Sequence, residues 1–302
     1  MVKLSVLVAL HNESSNILPF YQRAKPVLES LPGTPAWQIV FLNDGSTDDS
    51  LDRIAELREA DGRVKVISLS RNFGYQSALV AGLTLAESEL YAVLDVDCED
   101  PPELLAQFYE AIQKGAQLAY GIRSNREEPA FITSLRALFY HINNRIADSP
   151  TVLWMAEFAM ITRQVRDAIL VPRTTYPFLR SEMAYAGFRR VGVPYRRAKR
   201  AHGKSHYNLL RMTEFAVAGF LAGSTFPLRF VLYLAVVLAL GYPAAVFLLK
   251  LSWDQAVQLS SLIALCLCLV TFPILALYLA RTYHNVVLRP LFIIDKEKTH
   301  LP

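Results

Sequence analysis

Two stretches near the end of the chain limit its architecture more than any other feature. Residues 230–249 and 256–280 run for 20 and 25 residues without a charged side chain. A helix rises about 1.5 Å per residue, so each stretch can cross a hydrocarbon core of roughly 30 Å. Residues 251–255 between them are too few for a domain, so the two spans form a hairpin. A pair of buried core helices is the competing reading, and the length and lack of charge weigh against it. Hydrophobic residues make up 53% of the 302-residue chain, and these runs concentrate that excess.

The flanks of the spans orient them. Arg229 precedes the first, Arg281 and Arg289 follow the second, and the hairpin tip offers only Lys250 and Asp254. The positive-inside rule then puts both termini on the cytosolic side. Met1-Val2-Lys3 leads into a short strand-like run and then His11-Asn12-Glu13, which is not the pattern of a signal peptide. Three cysteines, Cys98, Cys266 and Cys268, give no disulfide framework and fit a reducing compartment. The expected location is the inner (cytoplasmic) membrane, with the preceding domain in the cytosol.

Ahead of the hairpin, residues 183–213 contain no Asp or Glu, while Arg189, Arg190, Arg196, Arg197, Lys199, Arg200, Lys204 and Arg211 crowd the stretch. Such a block beside a span attracts anionic headgroups or phosphate. Interleaved aromatic repeats and nucleic-acid motifs are missing, so nucleic acid is not an expected partner. Residues 207–221 carry an apolar face and few charges, as in a helix lying in the membrane interface.

The first hundred residues repeat one pattern: apolar run, polar loop, helical run. Strands are expected at 4–10, 37–42, 64–69 and 90–94, with helices at 17–31 and 51–60 and one from after the 71–76 loop to about 87. This is the signature of a mostly parallel sheet with helices on both faces, and ligands bind at the carboxyl ends of such strands. Each of those ends carries polar residues: Asn12 and Glu13, Asp44, Arg71, then Asp95 and Asp97. Glycine-rich dinucleotide and phosphate-loop fingerprints are both missing. A nucleotide would be held by acids, a metal and side chains instead. Further on, a helix is expected at 102–115, a strand at 116–122, helices at 131–147 and 177–185, and a last strand at 191–195.

The fourth strand end is the most acidic. Asp95, Asp97, Glu99 and Asp100 fall within six positions, followed by Pro101-Pro102-Glu103. Crowded carboxylates repel unless a cation neutralises them. In an extended segment Asp95, Asp97 and Glu99 share one face, and such oxygen ligands suit Mg²⁺ or Mn²⁺ with positions left open for phosphates. The plainer reading is an acidic loop in which Asp100 caps the next helix.

Taken together, these motifs resemble glycosyltransferase family 2: Val8-Ala9-Leu10-His11-Asn12-Glu13, Asn43-Asp44-Gly45-Ser46-Thr47-Asp48, Arg71-Asn72-Phe73-Gly74 and Asp95-Val96-Asp97 through Glu103. Arg200, Gly203, Ser205 and Tyr207, the two spans, and Tyr283 to Arg289-Pro290 resemble its polyprenyl-phosphate branch, which includes dolichol-phosphate mannose synthase and bactoprenol glucosyltransferase. The resemblance implies a GT-A catalytic domain over 1–207, an interfacial helix region over 208–229, two transmembrane helices over 230–280 and a cytosolic tail over 281–302.

It further implies an inverting, metal-dependent transfer of sugar from a nucleoside diphosphate, UDP-glucose by default, to polyprenyl (undecaprenyl) phosphate. Ala9, Asn12, Glu13, Asp44, Arg71 and Asp95 would hold the nucleotide. Asp95, Asp97 and Glu99 would hold Mg²⁺ or Mn²⁺, with Glu99 either completing the shell or facing solvent. Arg123, Arg200, Ser205 and Tyr207 would engage the acceptor and phosphate groups, and Glu157, Asp97 and Arg200 would carry the chemistry. Membrane lipids are implied partners, and the branch leaves room for a homo-oligomer, a dimer or a tetramer.

The sequence departs from the family pattern at four places. Ala156-Glu157-Phe158 replaces Gly-Asp-Phe, Ala9 replaces a proline, Tyr75 replaces the lysine after Asn-Phe-Gly, and His206 replaces the lysine of Ser-Lys-Tyr. A phosphate acceptor, with a second pKa near 6, is already largely a dianion at neutral pH. Glu157 is therefore either a base or a group that orients a sugar hydroxyl or the acceptor, and a structural pairing with a nearby arginine is a further reading. A modified sugar such as an aminoarabinose derivative, and a catalytically weak lipid-binding scaffold, are the alternatives. A processive polysaccharide synthase would carry Gln-x-x-Arg-Trp, and none of Trp37, Trp154 and Trp253 follows an arginine.

Overall fold

A computed structural model of the chain describes residues 2–33, 35–123, 155–171, 175–197 and 224–301. Its sheet grows outward from β1 (Leu4–Leu10), every residue of which is buried. A strand covered on both faces reads as a near-continuous apolar run, here broken only by Ser5, and alternate residues then serve opposite layers. Leu4, Val6, Val8 and Leu10 join one core, whereas Leu7 and Ala9 join the other. β2 (Trp37–Asn43) and β4 (Leu90–Asp95) flank β1 in parallel, and β3 (Val64–Ser68) lies outside β2.

Helices α1 (Ser14–Glu29) and α2 (Ser50–Ala60) cover the first layer, and α3 (Tyr75–Leu85) covers the second. On α1 the buried Ile17, Phe20, Ala24 and Leu28 recur every three or four residues, the stripe that makes a helix pack on a sheet. After β4 the chain makes a single 3₁₀ turn, Pro102–Leu104, before α4 (Leu105–Gln113). One continuous helix was expected there. A proline has no backbone N–H and suits a helix start, which favours this tight first turn.

The second half of the sheet departs from simple repetition. β6 (Met155–Thr162) inserts antiparallel between β4 and β5 (Leu118–Arg123), and β7 (Arg190–Tyr195) runs parallel to β5. The strand order is β3-β2-β1-β4-β6-β5-β7. Helices α5 (Arg163–Leu170) and α6 (Leu179–Tyr185) pack on the same face as α3.

Two long helices follow. α7 (Phe226–Leu248) and α8 (Trp253–Val287) have mean hydropathies of 2.3 and 2.6 over their most apolar windows, and none of those windows is buried within the protein. They are long and apolar enough to cross a membrane, and so large an uncovered apolar surface is costly in water. The helices pack on each other. Tyr242 Oη donates to the Ala256 carbonyl at 3.1 Å, and Tyr278 Oη to that of Ser224 at 2.7 Å. Ser252 and Gln255 form a capping box that starts α8 directly after the turn.

At 35 residues α8 outruns a hydrocarbon core of about 30 Å. Its last turns touch the sheet domain. Asn285 Oδ1 accepts from the Thr175 N–H at 2.9 Å and from its hydroxyl at 2.8 Å, and the Arg281 guanidinium lies 4.9 Å from the Tyr176 ring centre. The chain then returns to the outer edge of β3, where Leu69 pairs with Ile294 and Val66 with His300. The helix expected at 131–147 and the interfacial helix expected at 207–221 lie outside the described residues.

Candidate active site

The carboxyl ends of β1 to β4 converge, and the loops that leave them are stitched together. At the β2 end, both Asp44 oxygens accept backbone N–H groups of the β3 loop, from Phe73 at 2.7 Å and Gly74 at 2.9 Å. Burial raises the Asp44 pKa against those two donors. Asp44 itself is buried. The two loops touch so closely at Gly45 that a Cβ there would fall 2.4 Å from the Arg71 carbonyl carbon, and its φ of +65° is also one that glycine tolerates best.

The β1 loop joins the same network. Asn12, with φ +56°, donates its N–H to Ser46 Oγ at 3.0 Å and accepts the Thr47 N–H on Oδ1 at 2.8 Å. Asparagine is among the few residues that enter this left-handed region readily. Glu13 Oε2 accepts from Asn16 Nδ2 at 2.6 Å. Ala9 sits between Leu42 and Asp95 in register. The Arg71 guanidinium stacks 4.1 Å from the Phe73 ring centre. These predicted nucleotide residues therefore share one rim, and most of their polar atoms already organise the loops.

The acidic segment is not extended. β4 ends at Asp95 and the chain turns, with Cys98 at φ +56°. The expectation that Asp95, Asp97 and Glu99 share one face is thereby corrected. The Glu99 carboxylate instead pairs with Arg197 at 2.6 Å. Asp100 does not cap the next helix either. Buried at the strand end, its carboxylate accepts from Arg123 at 3.0 Å and from the Tyr195 hydroxyl, with Arg197 at 3.4 Å. Arg123, expected on the acceptor side, is thus tied to the strand ends.

Asp95 and Asp97 are the remaining acids of the segment, Asp97 buried and Asp95 half-buried. Asp97 Oδ1 accepts the Glu99 N–H at 3.0 Å. The Asp95 pKa is pushed up to about 7 by burial, with Asp100 and Asp97 adding to the rise. A carboxylate so short of positive charge is a natural cation ligand. Among the described residues no three carboxylate, imidazole or thiolate groups gather to hold a metal. Two carboxylates nonetheless fit Mg²⁺ or Mn²⁺, ions that keep water and phosphate oxygens in their remaining positions. Arg200, Ser205 and Tyr207 lie outside the described residues, as does His206.

Two site residues escaped the sequence reading. Tyr75 donates its hydroxyl to Asp95 Oδ1 at 2.7 Å, and Gln76 donates to Glu157 Oε1 at 2.8 Å. Burial and the neighbouring carboxylates hold the Tyr75 pKa well above its usual value, so it acts as a donor. Gln76 Oε1 in turn accepts from the Leu179 N–H at 3.0 Å, tying α3 to the start of α6. Glu157 lies on β6, with Arg180 at 3.9 Å, and burial raises its pKa. The only sequence signal was that Tyr75 breaks a family pattern.

Comparison with known proteins places this geometry. The model of the glycosyl transferase family 2 matches residues 5–170. An uncharacterized glycosyltransferase of Bacillus subtilis, YkcC, is 31% identical across 98% of this chain and 94% of its own length. A prophage bactoprenol glucosyl transferase homolog of Escherichia coli is also 31% identical, across 98% of this chain and all of its own length. Among solved structures, the mannosyltransferase PcManGT of Pyrobaculum calidifontis, bound to GDP-Man and Mn²⁺, aligns with 96% of this chain and 85% of its own at 18% identity and a TM-score of 0.50. The UDP complex of glucosyl-3-phosphoglycerate synthase from Mycobacterium tuberculosis gives 17% identity and the same TM-score over 73% of this chain and 79% of its own. These two share the fold. A family model spanning more than half of the chain, and relatives aligned along nearly all of it, show that the chain belongs to glycosyl transferase family 2 and is a glycosyltransferase of GT-A architecture.

Proposed function

We propose that the protein transfers glucose from UDP-glucose to undecaprenyl phosphate at the cytosolic face of the cytoplasmic membrane. One observation carries this reading: a cluster of acids at the strand ends and an unburied apolar hairpin occur in one chain, and the hairpin's second helix bonds to Thr175, shortly before Arg180, which lies 3.9 Å from Glu157. Relatives named as bactoprenol glucosyl transferases support the choice of sugar and acceptor.

The chemistry follows from the groups present. Asp44, Asn12, Glu13, Ala9 and Arg71 form the rim against which nucleobase and ribose bind. Asp95 and Asp97 would hold Mg²⁺ or Mn²⁺, and such an ion would supply positive charge against the donor diphosphate. An acceptor phosphate oxygen attacks the anomeric carbon from the opposite side. The electron pair of the breaking bond departs on the β-phosphate oxygen as UDP, so the anomeric configuration inverts. The attacking oxygen of a phosphate dianion carries no proton, so none has to be removed. Glu157, held by Gln76, then orients a sugar hydroxyl or the acceptor. The family resemblance assigns Arg200, Ser205 and Tyr207 to the remaining phosphate groups.

The test is the product itself. The full chain in detergent, given UDP-glucose, undecaprenyl phosphate and Mn²⁺, is expected to yield a glucosylated lipid phosphate whose anomeric carbon is inverted by NMR. Retention of configuration would overturn the single-displacement step, and absence of any lipid product would overturn the acceptor.

A further inference from the structure

β3 is the outermost strand on its side of the sheet. An open edge there would expose a row of unpaired N–H and C=O groups. The chain closes that edge with its own final residues. The Val66 N–H donates to the His300 carbonyl at 3.1 Å, the His300 N–H returns to Val66 at 2.8 Å, and the Ser70 N–H donates to Ile293 at 2.9 Å. Phe292, Ile294 and Leu301 pack on the same apolar layer as Phe73 and Tyr75.

The pairing is irregular between these two pairs. The tail takes six steps from Ile294 to His300 where the strand takes three from Leu69 to Val66, so three extra tail residues are accommodated there in a bulge. An ion pair between Lys298 and Asp295 at 3.2 Å closes the bulge. Ser68 therefore meets a side chain where a strand would supply a carbonyl: its N–H donates to Thr299 Oγ1 at 3.0 Å. The Ser68 carbonyl accepts the Asp295 N–H at 2.8 Å and the Thr299 hydroxyl at 3.4 Å.

Ser68 is also where the donor loops are anchored. Asn43 Nδ2 donates to Ser68 Oγ at 2.8 Å, Asn43 Oδ1 accepts the Ser46 N–H at 3.0 Å, and Ser46 Oγ accepts the Asn12 N–H at 3.0 Å. The Leu69 N–H donates to the Asn43 carbonyl at 2.9 Å, and the chain then enters the loop whose N–H groups hold Asp44. One unbroken set of hydrogen bonds thus runs from the tail through β3 and β2 to the β1 loop.

We propose that Thr299 is a positioning residue for donor binding, and that the tail beyond the hairpin is a clasp that sets the rim of the nucleotide site. Thr299 touches no substrate; it acts through Ser68 and Asn43. Because the clasp follows α8 directly, the donor rim takes its final shape only when the segment after the hairpin is seated on the sheet. The kinetic part of this inference rests on the UDP-glucose reading above, whereas its structural part does not.

The experiment compares the full chain in lipid nanodiscs with Thr299→Val, Thr299→Ser and His300→Pro. Valine keeps the shape of threonine but removes the hydroxyl, serine restores it, and proline removes the N–H that reaches Val66. Thr299→Val is expected to speed amide exchange across residues 66–74. It should raise the KM for UDP-glucose roughly 3- to 10-fold, with kcat and the lipid KM within about twofold. Thr299→Ser should restore both, and His300→Pro should move both in the same direction as valine. Unchanged exchange at 66–74 in the valine variant overturns the clasp, and so does a fall in kcat with an unchanged donor KM. Should the wild-type chain not turn over UDP-glucose, the exchange data and binding of UDP with Mn²⁺ decide the inference by themselves, and the failure belongs to the donor and acceptor reading.

Discussion

Tyr75 donates its hydroxyl to Asp95 at 2.7 Å from the first turn of α3, and the next residue, Gln76, holds Glu157 from the same turn. One helix start therefore fixes both carboxylates on which the account depends, one at the end of β4 and one on β6. Tyr75→Phe removes the bond to Asp95 with little change in volume. A hydrogen bond to a charged group is worth about 1.5–3 kcal/mol, so UDP affinity in the presence of Mn²⁺ should fall by roughly tenfold or more, read by calorimetry. Unchanged affinity would mean that Asp95 does not depend on Tyr75 for its orientation.

Asp95 also sets a pH dependence. Its pKa rises from 3.8 to about 7, chiefly through burial, then through Asp100 and Asp97. The metal-free fold therefore binds this proton more tightly than the unfolded chain does. That contribution to stability is fully present below the unfolded value and is lost as pH rises through about 7. A metal competes with the proton, so the rise in Tm on adding Mn²⁺ should be larger at about pH 8 than at about pH 6. Equal shifts at the two pH values would remove Asp95 from the metal site.

Asp100 serves the frame of the site. It is 2% exposed and receives Arg123, Tyr195 and Arg197 from two other strand ends or their extensions. Removing one partner of a buried ion pair typically costs about 3–5 kcal/mol, because the other charge is left uncompensated. Asp100→Ala should lower the denaturant midpoint accordingly, and Asp100→Asn by less. A change under about 1 kcal/mol would mean that solvent screens the cluster.

Glu157 separates two roles cleanly. With Glu157→Gln the carbonyl oxygen can still accept from Gln76, so geometry survives while basicity is lost. If Glu157 orients a substrate group, kcat should fall no more than about tenfold, and the acidic limb of the rate profile should persist near pH 6, where the acceptor phosphate loses its second proton. Loss of that limb, with a far larger drop in kcat, would make Glu157 the base.

The parallel half of the sheet was legible because β1, β2, β3 and β4 are each mainly apolar runs, broken only by Ser5, Gln38 and Lys65, that end in polar loops. The direction of β6 was not, since an apolar run such as Ala156 to Ile161 reads alike in either sense. Tyr75 and Gln76 were missed for another reason. Their partners lie 20 and 81 residues away, and no local spacing encodes such contacts. Glu99 misled because an alternating pattern implies one shared face only if the strand continues, and β4 stops at Asp95. The tail did carry a signal, the apolar run Leu291-Phe292-Ile293-Ile294, which is the length of a short strand.

The most direct test of the central claim is a mass spectrum of the lipid fraction. The full chain in nanodiscs is incubated with UDP-glucose, undecaprenyl phosphate and Mn²⁺, beside the Asp97→Ala variant. The account predicts one hexose added per polyprenyl phosphate, matched by an equal amount of released UDP, and neither from Asp97→Ala. UDP released without a glycosylated lipid, or full product from Asp97→Ala, would contradict it.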